Sequence, residues 1–158
     1  MVPHDVKNPE EFAAMLILLI EEEPISALSV MLELQSSGHK VIGPATHFDE
    51  ALQLAHKHRP ELALIDIDLK DEGDGIELAR RFAELEIPAV FVSGQGALAR
   101  AHSDLAVGYI SKPFNPADVP GSIAAIDTLL GGSVPHARTV PGALQLFPRA
   151  QQEILQDA

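Results

Sequence analysis

Six side chains scattered over more than ninety positions are of the types that phosphoryl chemistry uses. Glu21 and Glu22 follow the apolar run Met15–Ile20, and Asp66 closes the run Leu62–Asp66 with Asp68 two residues further on. Ser93 closes Ala89–Ser93, and Lys112 closes Val107–Lys112. Carboxylates gathered in one place repel one another, by about 4 kcal/mol per pair at 4 Å in a surface-like dielectric. A divalent cation relieves that repulsion, and clustered oxygen ligands with room for water suit Mg²⁺ or Mn²⁺. With metal bound, Asp66 can attack phosphorus as a nucleophile. The cation, Lys112 and the Ser93 hydroxyl then neutralise the oxygens of the transferring group.

Some framework must bring these residues together. The four runs above and Lys40–Ala45 are short, apolar and bounded by charges, Gly or Pro. That pattern suits strands buried on both faces. The segments between them carry helical period. Ile25, Leu28, Met31, Leu32 and Leu34 predict the buried stripe of a first helix, stopped at Gly38. Asp49–Ala55 predicts a second helix ending before Pro60, and Ile76–Leu85 a third closed by Pro88. A fourth, from about Gly96 to Ser103, holds few large apolar residues and is expected to be weakly anchored. Val119, Ile123, Ile126 and Leu130 stripe a fifth, with Asn115 or Asp118 as its cap and Pro120 in its first turn. Five β-α units in alternation predict an α/β fold, a doubly wound parallel sheet with helices on both faces and right-handed crossovers. In such sheets ligands gather at the carboxyl ends of the strands, where all six residues fall.

Composition narrows the function. Among 158 residues, Asp plus Glu number 23 against 11 Lys plus Arg, a net charge of -12. No basic cluster beyond Arg80-Arg81 could displace phosphate counterions, so binding to nucleic acid is not expected, and anionic lipid would repel the surface. There is no cysteine, which excludes disulfides, thiolate zinc sites and a cysteine nucleophile. The longest early apolar run is too short for a signal-peptide core or a membrane span, so a cytoplasmic protein is expected. The ends differ from the middle. Residues 1–13 read as a polar N-terminal extension and 131–158 as a C-terminal extension, helical toward its end. Leu144, Leu146, Phe147, Ile154 and Leu155 give that extension more apolar surface than a linker needs, which suggests docking or dimerisation.

The runs LILLIEEEP, LALIDIDL, PAVFVSG and GYISKPF, in that order and spacing, resemble the receiver domain of bacterial two-component response regulators. The resemblance covers about residues 14–130. It implies a flavodoxin-like, five-stranded sheet of order 2-1-3-4-5. It also implies that Asp66 accepts a phosphoryl group from a phosphohistidine on a sensor histidine kinase or phosphotransfer protein. Glu21 and Glu22 match the metal-binding acidic pair, Asp68 the position whose backbone carbonyl completes the metal shell, and Lys112 the phosphoryl-pairing lysine. Ser93 and Tyr109 match the switch hydroxyl and switch aromatic, and Asp68 and Gln95 the positions that tune hydrolysis. The implied protein is a stand-alone, non-enzymatic regulator signalling through protein contacts, with a homodimer through the helix 4–strand 5–helix 5 face or the C-terminal extension. The acidic pair departs from the family in having no Asp, Gly94 stands where Ala is common, and Pro120 is expected to distort the start of the fifth helix.

Other readings compete. Two Glu in the metal pair are compatible with a pseudo-receiver that works as an adaptor without phosphorylation. Asp66-Ile67-Asp68 with Ser93 and Lys112 also looks like a haloacid-dehalogenase-type phosphatase, but those enzymes carry Asp-x-Asp on their opening strand. A calcium loop over 66–77 fails because Lys70 occupies a ligand position and Asp71 stands where Gly is needed. A flavin- or nucleotide-binding flavodoxin would place phosphate-cradling amides where this chain has three glutamates.

Overall fold

The structure is a computed structural model that describes residues 14–70 and 73–147. The expected extension 1–13 and the expected helix at the chain's end lie outside the described residues. Five parallel strands form where the apolar runs predicted them: β1 (Leu16–Ile20), β2 (Lys40–Ala45), β3 (Leu62–Asp66), β4 (Ala89–Ser93) and β5 (Gly108–Ser111). Their order is β2-β1-β3-β4-β5. Because side chains alternate across a strand, each central strand feeds two cores. Leu18, Ile20, Ala63, Ile65 and Phe91 face one, and Ile17, Leu19, Leu64, Val90 and Ile110 the other.

Helices cover both faces. α1 (Pro24–Ser36) and α5 (Val119–Leu130) close one core, and α2 (Phe48–His58), α3 (Asp74–Glu84) and α4 (Gly96–Ala101) the other. The fifth helix starts as expected. The Asn115 side chain accepts from the Ala117 N–H and caps a 3₁₀ turn, Pro116–Asp118, which leads into α5 with Pro120 in its first turn. α4 is short but held: Ala99 is fully buried, and the Arg100 guanidinium donates to the Tyr109 hydroxyl at 2.9 Å.

Besides the weak anchoring expected of α4, two expectations are corrected. In α1 the face buried against the sheet is Ala27, Val30 and Leu34, whereas Ile25 (74% exposed), Leu28 (55%) and Leu32 (54%) face outward. An almost wholly apolar helix carries overlapping stripes, and periodicity alone does not say which one packs.

The second correction is at the sheet's far edge. Part of the segment read as an extension is a sixth strand, β6 (Leu144–Leu146), antiparallel to β5. Residues 131–136 and a 3₁₀ turn at Ala137–Thr139 bring it back along α5, with Pro141 against Gly121. Leu144 then enters the α1/α5 core and Phe147 the opposite one.

Candidate functional site

The acidic run after β1 divides into three roles. Glu23 caps α1, its carboxylate accepting from the Ile25 and Ser26 N–H groups at 3.2 and 2.7 Å. Those hydrogen bonds hold its pKa below the ordinary value. Glu22 turns aside and accepts from the Lys70 N–H at 3.2 Å. Glu21 is buried and meets Asp66. Burial first, then the hydrogen bond to Asp66 and that residue's charge, pushes the Glu21 carboxyl up to about 8. Near neutrality Glu21 therefore carries a proton.

Asp66 sits at the carboxyl end of the central strand β3, 5% exposed. Its Oδ1 accepts from the Asp68 N–H at 2.8 Å, and its Oδ2 pairs with the Lys112 ammonium at 2.8 Å. Burial alone would lower the Lys112 pKa. The ion pair with Asp66, reinforced by the charges of Glu21 and Asp68, outweighs it and raises the net value. Lys112 is delivered by the end of β5, whose next peptide bond, Lys112–Pro113, is cis. Glu21, Glu22, Asp66, Asp68 and Lys112 line one cavity of about 630 Å³, which runs on beneath α1 past Ile25, Phe114 and Pro116.

Ser93 is fully buried at the end of β4. Its hydroxyl donates to Asp68 Oδ1 at 2.8 Å and accepts from the Gln95 N–H at 2.8 Å. The Asp68 side chain also accepts from the Gly94 N–H at 2.8 Å and the Gln95 side-chain amide at 3.2 Å. Its burial would raise its pKa, but these donors and Lys112 hold it below the ordinary range. Tyr109 is buried, with its hydroxyl on Arg100 and its ring stacked on Phe147, centroids 5.9 Å apart. A Cβ at position 96 would lie 2.9 Å from that hydroxyl, so Gly96 makes room for it.

Glu21, Glu22, Asp66, Asp68, Ser93, Gln95 and Lys112 thus reach one end of the sheet, though they do not all touch, while Tyr109 lies within β5. Glu21, Asp66 and Lys112 form one group and Asp68, Ser93 and Gln95 a second, linked by Lys112 at 3.6 Å from Asp68 Oδ2. Among the described residues no three His, Asp or Glu side chains stand together at metal-binding spacing, and Glu22 is engaged by the Lys70 N–H. The donor chemistry nevertheless fits a hard cation. Every nearby ligand atom is oxygen, and the carboxyls of Glu21 and Asp66 are both buried and line the same cavity. Sequence reasoning missed Arg100, Phe147 and the side-chain role of Asp68. A lone Arg and a tail Phe carry no motif, and Asp68 was assigned as a metal-shell carbonyl and a hydrolysis-tuning position, not as the acceptor of the Ser93 and Gly94 donors.

A doubly wound parallel sheet with a carboxylate and a lysine paired at the ends of β3 and β5 defines the receiver class. The chain belongs to the response regulator receiver domain family, whose model matches residues 17–124. It is 34% identical over 112 residues to the phyllosphere-induced regulator PhyR of Methylorubrum extorquens, a match covering 68% of this chain and 42% of that protein. The anti-anti-sigma factor PhyR of Bartonella quintana is similar in structure, with TM-score 0.62 and 29% identity over 72% of this chain and 47% of that one. The receiver domain of a modulated diguanylate cyclase from Desulfovibrio desulfuricans matches with TM-score 0.64 and 29% identity, over 75% of this chain and 99% of that one. The chain spans about half the length of the curated relatives it matches. No helix among the described residues is long and apolar enough to cross a membrane.

Proposed function

We propose that this receiver is a phosphoacceptor: Asp66 takes a phosphoryl group from a phosphohistidine on a sensor kinase or phosphotransfer protein and signals through protein contacts. The observation that carries the reading is the 2.8 Å Asp66–Lys112 pair inside a cavity that also holds Glu21 and Glu22. In the transfer an Asp66 oxygen bonds to phosphorus as the partner's N–P bond breaks, the imidazole leaving with the electron pair. Lys112 stays beside the phosphoryl oxygens, and the Ser93 hydroxyl and Gly94 N–H, at the end of the neighbouring strand β4, are the donors that would follow. A divalent cation held by Glu21, Glu22, Asp66 and the Asp68 carbonyl would supply the opposing positive charge. The outward face of α1 supports a helical partner, since Ile25, Leu28 and Leu32 form an exposed apolar stripe that begins at the cavity's rim.

The test is intact-protein mass spectrometry with acetyl phosphate and Mg²⁺. One addition of about 80 Da is expected, lost without metal and lost in Asp66→Asn. Equal labelling of Asp66→Asn would overturn the assignment. A second reading, an adaptor that works without phosphorylation, is favoured by the turn of Glu22 toward Lys70 and by likeness to an anti-anti-sigma factor. Its mark is the absence of any mass gain, with partner binding unaltered by Asp66→Asn.

A further inference from the structure

The donors that would wrap a phosphoryl group on Asp66 are already wrapped around another anion. Asp68 accepts the Ser93 hydroxyl on Oδ1 and the Gly94 N–H on Oδ2, each at 2.8 Å, and its Oδ2 lies 3.6 Å from the Lys112 ammonium. The hydroxyl is committed, because Ser93 Oγ accepts from the Gln95 N–H and so turns its single proton to Asp68. The Gln95 side-chain amide closes the shell at 3.2 Å. Hydroxyl, backbone amide and ammonium are the donor set that a phosphoryl oxygen requires, and charge-assisted bonds of this kind are the strong ones. Lys112 reaches both anions, at 2.8 Å from Asp66 and 3.6 Å from Asp68.

We propose that the Asp68 side chain is an internal competitor for the phosphoryl group. This rests on Asp66 being the acceptor. The carboxylate holds Ser93, Gly94 and Lys112 in a receiving posture, and it must vacate them before Asp66 can be modified. It also repels an incoming phosphate dianion. Asp68 acts through those donors and not on phosphorus, which makes it a positioning residue. With acetyl phosphate, the Asp66 O–P bond forms as the acetate O–P bond breaks, and acetate leaves with the electron pair. The Asp68 carboxylate swings toward solvent, and no proton is transferred.

The full chain, Asp68→Ala and Asp68→Asn are compared in Mg²⁺ for the second-order rate of acetyl phosphate labelling and for the half-saturating beryllofluoride concentration. Removing the competitor is expected to raise the labelling rate about tenfold in Asp68→Ala and to lower the beryllofluoride concentration in parallel. Asp68→Asn should fall between, because its carbonyl still accepts from Ser93 while the negative charge is gone. A merely structural Asp68 predicts the reverse: loosening Ser93 and Gly94 would weaken beryllofluoride binding. Unchanged or slower labelling and unchanged or weaker analogue binding in a folded variant would overturn the proposal. If Asp68→Ala fails to unfold cooperatively, Asp68→Asn decides alone. Absence of labelling in all three chains would remove the Asp66 reading, and the competitor with it. A labelled wild type with no gain in the variants would remove the competitor only.

Discussion

At the scale of single residues, the decisive contrast is between three consecutive glutamates of identical chemistry. Glu23 finds free helix N–H groups and becomes a cap, Glu22 finds the Lys70 N–H, and Glu21 alone is buried beside Asp66. The run itself was legible as a cluster of ligand candidates, but the division of labour depends on where each side chain points after β1 ends. Glu21 gives a pH signature. Its pKa in the folded protein is about 8, against 4.5 ordinarily. Between those values the native state binds the extra proton, so Glu21's contribution is full below 4.5 and lost as pH rises through 8. In EDTA, the difference in urea midpoint between wild type and Glu21→Gln should therefore move against wild type from pH 5.5 to 8.5. A pH-independent difference would place Glu21 in a different ionisation state.

At the scale of elements, β6 changes the outer edge of the sheet beside β5. The outer edge of β5 is paired by residues of the same chain, so the sheet's edge strand is β6. Gly108 permits the approach, since a Cβ there would lie 2.5 Å from the Gln145 carbonyl oxygen. Phe147 follows the strand, buried against Tyr109, and so ties the tail to the residue matching the family's switch aromatic. Phe147→Ala should cost about 3 kcal/mol in chemical denaturation, the range for emptying a buried aromatic site. A loss of a few tenths would mean that the tail is not packed in solution. Sequence pattern showed surplus apolar residues here but not their destination, because a three-residue strand has too short a period to read. The same limit applied to α1, where a stripe could be seen and its orientation could not.

At the scale of the whole molecule, the five-unit alternation places the carboxyl ends of β1 to β5 on one side, and this collects residues from Glu21 to Lys112 in a single cavity. The net charge of -12 opposes self-association of exposed faces. Cutting the chain after Leu130 removes β6 and leaves β5 as a bare edge beside an uncovered Tyr109. Such edges pair with other chains. The truncated protein should show a lower denaturation midpoint and concentration-dependent association in sedimentation velocity, with the full chain associating less. Equal association of both would show that β6 does not shield that edge.

The five parallel strands, and the fact that Glu21, Asp66, Asp68, Ser93 and Lys112 fall at or just beyond their carboxyl ends, were legible in the sequence. Short doubly buried runs allow few alternatives, and the chemistry falls at their carboxyl ends. Tertiary structure decided how those residues are paired. Whether Asp68 offers its backbone or its carboxylate, which glutamate meets Asp66, and which edge residues 144–147 cover depend on competition among nearby donors and surfaces. That competition is settled only when β1, β3, β4 and β5 lie side by side, because each hydrogen bond there joins residues far apart in the chain or turns on which neighbour is closer.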